Sequence, residues 1–248
     1  FMENPSTVPC YPMYSNPRGL VLIINNITFH GEKGDRLAAQ HDAKNLKDLF
    51  DQMGFDVETA GNLTRSAFSK QSRLHFVHSM FVIIMSHGNE HVKDNRSQSV
   101  VCGVDGEFIT DSQVWDYFNN EACQALFNKP KIFIFQTCRY TLYIHKDADD
   151  VNLYVPLAEP PVQTNMRTYS DMLVAYSTLP GHRAHRDTHT GSWYIQTLCE
   201  VIMNHAHNEE LTRILSRMQT GNNGCQTSTF TNLGFNKKCY LNPGYFGD

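Results

Sequence analysis

A cysteine and a histidine each stand just past an apolar run in this chain. Cys138 lies in Gln136-Thr137-Cys138-Arg139 after Lys131 to Gln136 (KIFIFQ), and His87 lies in Ser86-His87-Gly88 after Met80 to Ser86 (MFVIIMS). A thiol at its free pKa is only partly ionised near neutrality, so a cysteine nucleophile needs an imidazole or a positive field beside it. Gly88 lets the backbone come close to a ligand, and its N–H together with that of Cys138 could hold a developing oxyanion. Taken alone, Cys138 reads equally as a small buried apolar residue. Its place at the end of one apolar run, with His87 at the end of another, favours the chemical reading.

The elements that must position this pair are short and apolar. Leu20 to Asn25 (LVLIIN), Met80 to Ser86 and Lys131 to Gln136 are nearly continuous apolar runs, the pattern of strands covered on both faces in a parallel sheet. Ala39, Ala43, Leu46, Leu49, Phe50 and Met53 recur at spacings of three and four, which predicts a helix over about 36–53 capped by Asp35 and ended by Gly54. Phe55 to Thr59 alternates like a strand. Val101 to Ile109 reads as a hairpin turning at Asp105-Gly106, and Thr110 with Gln113 forms a capping box for a helix to about Phe118. Beyond Met172 to Ser177 (MLVAYS) the pattern predicts a helix capped by Ser192 to about Ala206, another near Glu209 to Met218, and a last strand at Lys238 to Leu241. Alternating strands and helices imply an α/β three-layer sandwich with a mostly parallel central sheet flanked by helices. Parallel strands sit about 5 Å apart, so the ends carrying His87 and Cys138 can meet on the sheet's carboxyl side.

Composition removes other classes. The 248 residues carry a formal charge of -4, and 41% are hydrophobic, which suits a globular domain. The scattered Lys and Arg argue against nucleic-acid and anionic-membrane partners. No apolar run is long enough to span a membrane, and Phe1 to Ser15 lacks a signal-peptide pattern. Seven cysteines without a C-x-x-C spacing fit a reducing compartment, so a cytoplasmic protein is expected. His182, His185 and His189 fall within eight residues, but no cysteine accompanies them and two arginines there would repel a cation, so neither metal nor cofactor is expected.

Gln136-Thr137-Cys138-Arg139 resembles the caspase active-site pentapeptide, Ser86-His87-Gly88 resembles the caspase histidine loop, and the two lie 51 positions apart, close to the family's spacing. Further likeness runs through Ile23 to Asn26, Asp42-Ala43, Asn45-Leu46, Met53-Gly54-Phe55, Lys129-Pro130-Lys131, Gly191-Ser192-Trp193 and Lys237-Lys238. Within the family, His185-Arg186-Asp187, Gly191 to Gln196 and Asn232 to Lys238 look most like Dronc-type insect initiator caspases.

This resemblance implies a single caspase-like catalytic domain over 1–248: a large subunit over about 15–145, an intersubunit linker over about 146–170 and a small subunit over about 171–248. It implies a cysteine endopeptidase, an initiator caspase in apoptosis that cleaves proteins after Asp, with Glu as the other candidate. Arg36, Arg186 and Gln136 match the residues that grip the acidic side chain. The physics agrees, because a desolvated carboxylate is best held by guanidinium forks. Arg183 and His185 stand where many caspases place aromatic residues around the next substrate side chain, so a more polar subsite is expected. No Asp or Asn is placed to orient His87, and by analogy a backbone carbonyl near Gly34 does so. Asp147, Asp149, Asp150 and Glu159 are candidate processing sites. Expected partners are protein substrates with an acidic residue before the cut, a second copy of the chain through an edge strand at Lys238 to Leu241, inhibitor-of-apoptosis proteins, and an apoptosome-type adaptor acting through an N-terminal domain that the sequence lacks. Two features depart from the pattern: Thr137 replaces an Ala, and Tyr140 stands where a Gly is usual. The alternative reading is a catalytically inactive homologue that regulates an active caspase by binding it.

Overall fold

The computed structural model describes residues 8–30, 34–65, 77–93, 96–140, 167–218 and 226–244. The candidate processing sites Asp147, Asp149, Asp150 and Glu159 lie outside the described residues, as does most of the expected linker.

In chain order the elements are β1 (Leu20–Asn25), α1 (Ala39–Gln52), β2 (Asp56–Gly61), β3 (Met80–Met85), β4 (Gly88–Lys93), β5 (Arg96–Cys102), β6 (Phe108–Thr110) and α2 (Asp111–Asp116). They continue with β7 (Lys131–Gln136), β8 (Met172–Tyr176), β9 (Arg186–Asp187), β10 (Gly191–Ser192), α3 (Trp193–His205), α4 (Leu211–Arg217) and β11 (Thr229–Leu233). Six strands form the central sheet in the order β11-β8-β7-β3-β1-β2, all parallel except β11.

The apolar runs become strands because both faces of the sheet are covered. Side chains alternate between the two faces. Val21, Ile23, Phe81, Ile83, Ile132 and Ile134 pack into one core with Leu46 and Phe50 of α1, Leu198 of α3 and Ile214 of α4. Leu20, Ile24, Val82, Ile84, Phe133 and Phe135 pack into a second with Val114 of α2, Ile109 and Phe118. A one-residue slip of any central strand would exchange these two sets, so register is strongly specified.

Two local expectations are corrected. Asp35 does not cap α1: its Oδ1 accepts the Phe29 N–H, and the helix starts at Ala39 from an Ala38 cap with no side-chain hydrogen bond. Lys238 to Leu241 is not a strand of the central sheet. It makes isolated bridges, Lys238 with Cys10 and Tyr240 with Glu210, which bury Cys239 and Leu241 in the core. The sheet edge on that side is instead β11, whose Thr229–Leu233 pairs antiparallel with β8.

Candidate active site

Adjacent parallel strands end together. β1, β3 and β7 are neighbours with Asn25 opposite Met85 and Met85 opposite Gln136. Continuing each by a residue or two brings Asn26, His87 and Cys138 to the same edge of the sheet, the place where ligands bind open α/β folds. Buried Asn26 laces the ends together: its Nδ2 donates to the Cys102 carbonyl at 3.1 Å and to Ser86 Oγ at 3.3 Å, and its Oδ1 accepts the Leu63 N–H at 2.8 Å.

His87 Nε2 lies 2.8 Å from the Gly34 carbonyl oxygen, and its ring packs on Phe29 with centroids 4.7 Å apart. A carbonyl can only accept, so Nε2 carries the proton in this contact. Cys138 is half-buried, and its Sγ lies 3.9 Å from the Ala184 carbonyl oxygen. The thiol therefore sits against the 182–186 segment that also bears Arg183, His185 and Arg186.

The backbone around the pair is drawn tight. Gly88 faces Val101 in a pair whose hydrogen bond runs from Cys102 N–H to the His87 carbonyl, which turns the Gly88 N–H away from β5. Among the described residues no acceptor takes the Gly88 N–H or the Cys138 N–H. A Cβ on Gly88 would meet Thr137 Cβ and the Val100 carbonyl at 2.7 Å and the Cys138 carbonyl at 3.0 Å. Only glycine allows this approach, so Gly88→Ala must push the cysteine loop away. Misplacing a reacting group by about 1 Å costs about 100-fold in rate, and overpacking costs about 1–3 kcal/mol. Kinetics and thermal unfolding of Gly88→Ala should therefore show kcat falling by about two decades in a protein that still folds.

Arg139 anchors the far side of the loop. Its Nε donates to Glu90 Oε2 at 3.1 Å and to Ser99 Oγ at 2.6 Å, and its guanidinium lies 4.2 Å over the Tyr176 ring. Its backbone is tied to the opposite segment by Arg139 N–H to His182 O at 3.0 Å and Gly181 N–H to Arg139 O at 2.7 Å. Tyr140 replaces the usual glycine without conformational cost, since it is absent from the residues with positive φ. Its side chain, 40% exposed, lies under the Arg183 guanidinium at 4.8 Å.

Arg36 is 3% exposed, and its Nη1 donates to the Asn26 carbonyl at 2.8 Å. Burial, then the charge of Arg186, lowers its pKa to about 10, while Asp42 and Cys138 pull the other way. Arg36, Arg186, Asp42 and Cys138 thus form one electrostatic cluster, with Arg186 exposed and Asp42 fully buried. Gln136 is buried at the end of β7 with its Oε1 unpaired among the described residues. Leaving such a group unsatisfied costs about 1–3 kcal/mol, which fits a side chain kept for a ligand. His185 is exposed and stacks on Trp193 at 5.0 Å and 22°, while its backbone N–H donates to Gln226 Oε1 at 2.7 Å.

Sequence reading alone gave no role to Asp42, Asn26 or Glu90. Asp42 carried a signal, being the one charge inside the apolar stripe of Ala39, Ala43, Leu46 and Leu49. Asn26 ends an apolar strand, as His87 and Cys138 nearly do. Glu90 lies in the polar GNEHVK of β4, which has no strand-like apolar alternation.

A six-stranded, mostly parallel sheet between helices, with a thiol and an imidazole at neighbouring strand ends beside buried and exposed arginines, defines a caspase-fold protein. The chain belongs to the caspase family: residues 18–243 match the caspase domain. It is 31% identical to Caspase Dronc of Drosophila melanogaster over 93% of this chain and 57% of that protein, and 33% identical to Caspase-3 of Bos taurus over 84% and 74%. The crystal structure of the Drosophila initiator caspase Dronc superposes with a TM-score of 0.76 at 29% identity, covering 98% of this chain and 90% of that one. This chain thus spans 57% of the length of full Dronc. Among the described residues no helix is long and apolar enough to cross a membrane.

Proposed function

We propose that the chain is a cytoplasmic cysteine endopeptidase that cleaves proteins after Asp, and less well after Glu, as an initiator caspase in apoptosis. The observation that carries this reading is the meeting of His87 and Cys138 at adjacent strand ends, with two unclaimed backbone N–H groups and the Arg36–Arg186 cluster alongside.

In the mechanism Cys138 Sγ gives its proton to His87 Nδ1 and bonds to the scissile carbonyl carbon, whose oxygen takes the electron pair. The Gly88 and Cys138 N–H groups stabilise that oxyanion. His87 then protonates the leaving amine, the C–N bond breaks, and a thioester remains. Water, losing its proton to the same nitrogen, attacks the thioester, and the acid product leaves as the C–S bond breaks. The Gly34 carbonyl, bonded to Nε2, holds the ring in one orientation through both halves. Arg36, Arg186 and Gln136 receive the acidic side chain. Arg183 and His185 flank the next substrate position and make it more polar than an aromatic wall.

The subunit division at about 145 and 171, with Asp147, Asp149, Asp150 or Glu159 as the cut, belongs to this reading. So do self-association, an apoptosome-type adaptor and inhibitor-of-apoptosis proteins as partners. β11, at one end of the sheet order among the described residues, is the surface suited to self-pairing, since an edge strand presents unpaired backbone groups. Fluorogenic peptides differing only in the residue before the cut provide the test. Turnover should rank Asp above Glu, with Asn, Arg and Lys far behind. Equal turnover of Lys and Asp peptides would refute the acidic specificity, and no turnover of any would favour the binding-regulator reading.

A further inference from the structure

We infer that Asp42 is the positioning residue of the acid-recognition pocket: its carboxylate, behind both arginines, holds the ribbon bearing Arg186 in place and offsets one of the two positive charges. This rests on the acidic specificity proposed above and goes further, because it assigns the pocket's charge balance to a residue that would not touch substrate.

Asp42 projects from the first turn of α1 and is fully buried. Both its oxygens accept the Ser192 N–H, at 2.8 Å and 3.1 Å, a contact spanning 150 residues of chain. Ser192 pairs with Arg186 in the two-stranded β9–β10 ribbon and is also the N-cap of α3. Asp42 is therefore one backbone pair away from the exposed arginine. The approach is so close that residue 191 must be glycine: its φ is +99°, and a Cβ there would overlap Asp42 Oδ1.

Electrostatics gives the same assignment. Arg36, Arg186 and the Cys199 thiol are among the ionisable groups that couple to Asp42. Burial pushes the Asp42 carboxyl up, while the Ser192 bonds and both guanidiniums pull it down. Two guanidiniums and one carboxylate leave a net charge of one plus, and an aspartate side chain entering the pocket would bring the group to neutrality. Without Asp42 the arginines repel each other unrelieved. Arg186, the exposed one on a ribbon of two residue pairs, would then be the one to swing into solvent.

The test uses matched peptides ending in Asp and in its neutral isostere Asn. In Asp42→Asn, whose amide oxygen can still accept the Ser192 N–H, the Asp-over-Asn ratio of kcat/KM should fall about tenfold. The loss should sit in KM, with kcat at saturating Asp peptide nearly kept. In Arg186→Gln the ratio should fall further, and adding Asp42→Asn to that variant should recover part of it, because a net charge of one plus returns. A merely structural Asp42 would instead lower kcat/KM for both peptides alike and make the double variant worse than either single one. Should the buried amide fail to fold, Asp42→Ser, with a smaller hydroxyl acceptor, carries the same comparison. Unchanged discrimination in folded Asp42 variants overturns the positioning role alone. Failure of the unsubstituted protein to prefer Asp over Asn overturns the acidic-pocket reading, and this inference with it.

Discussion

Replacing Cys138 by Ala is expected to lower peptide turnover by at least about 10,000-fold while leaving the fold intact, since removing a nucleophile that acts as a unit with its base abolishes the covalent route. The side chain is half-buried, and the contact of its Sγ is a 3.9 Å approach to the Ala184 carbonyl, too long to contribute much to stability. Thermal unfolding should therefore match the unsubstituted protein. His87→Ala should produce a loss of similar kind. Because the two residues serve one proton-transfer step, the double variant should be scarcely worse than either single one. A slow, hydroxide-dependent rate surviving in His87→Ala would report the oxyanion N–H groups acting alone.

The second large effect is expected at Arg36. This guanidinium is buried, held by the Asn26 carbonyl and disfavoured by both burial and Arg186. A charge kept at that cost serves recognition better than stability. Arg36→Gln should lower kcat/KM for an Asp peptide by about 100- to 1,000-fold, the usual consequence of truncating one partner of a buried charged hydrogen bond. Steady-state kinetics should show most of this loss in KM, and the Asn peptide should be affected far less. Arg36→Lys should not rescue, because a single ammonium cannot reproduce the fork that grips a carboxylate. Equal losses with Asp and Asn peptides would mean that Arg36 supports the loop rather than reading the substrate.

Much of the frame was legible in the sequence for a physical reason. A central strand covered on both faces must be apolar throughout, and LVLIIN, MFVIIM and KIFIF say so without homologues. The Thr110–Gln113 box also read correctly, because a cap reports its own local chemistry; both of its reciprocal hydrogen bonds are formed. What escaped depends on partners distant in sequence. Asp35 has a cap's composition but bonds to Phe29, and the 150-residue contact of Asp42 with Ser192 leaves no local trace. Lys238 to Leu241 does alternate buried and half-buried residues, yet that alternation belongs to a segment wedged between Cys10 and Glu210. β4 escaped for the opposite reason, being a polar strand whose Glu90 faces Arg139. His87 and Cys138 stood out because strand ends are readable. Arg36 and Arg186 came only through the family resemblance, and Asp42, which sits on another element, was not read at all.

In the proposed function Cys138 is a nucleophile next to a site that selects an acidic side chain. Incubation with a peptidyl electrophile ending in Asp, followed by intact mass and peptide mapping, tests both parts in one measurement. One equivalent should attach, at Cys138, and the same electrophile ending in Lys should leave the protein unmodified. Attachment at another cysteine, such as exposed Cys10, or equal labelling by both reagents, would contradict it.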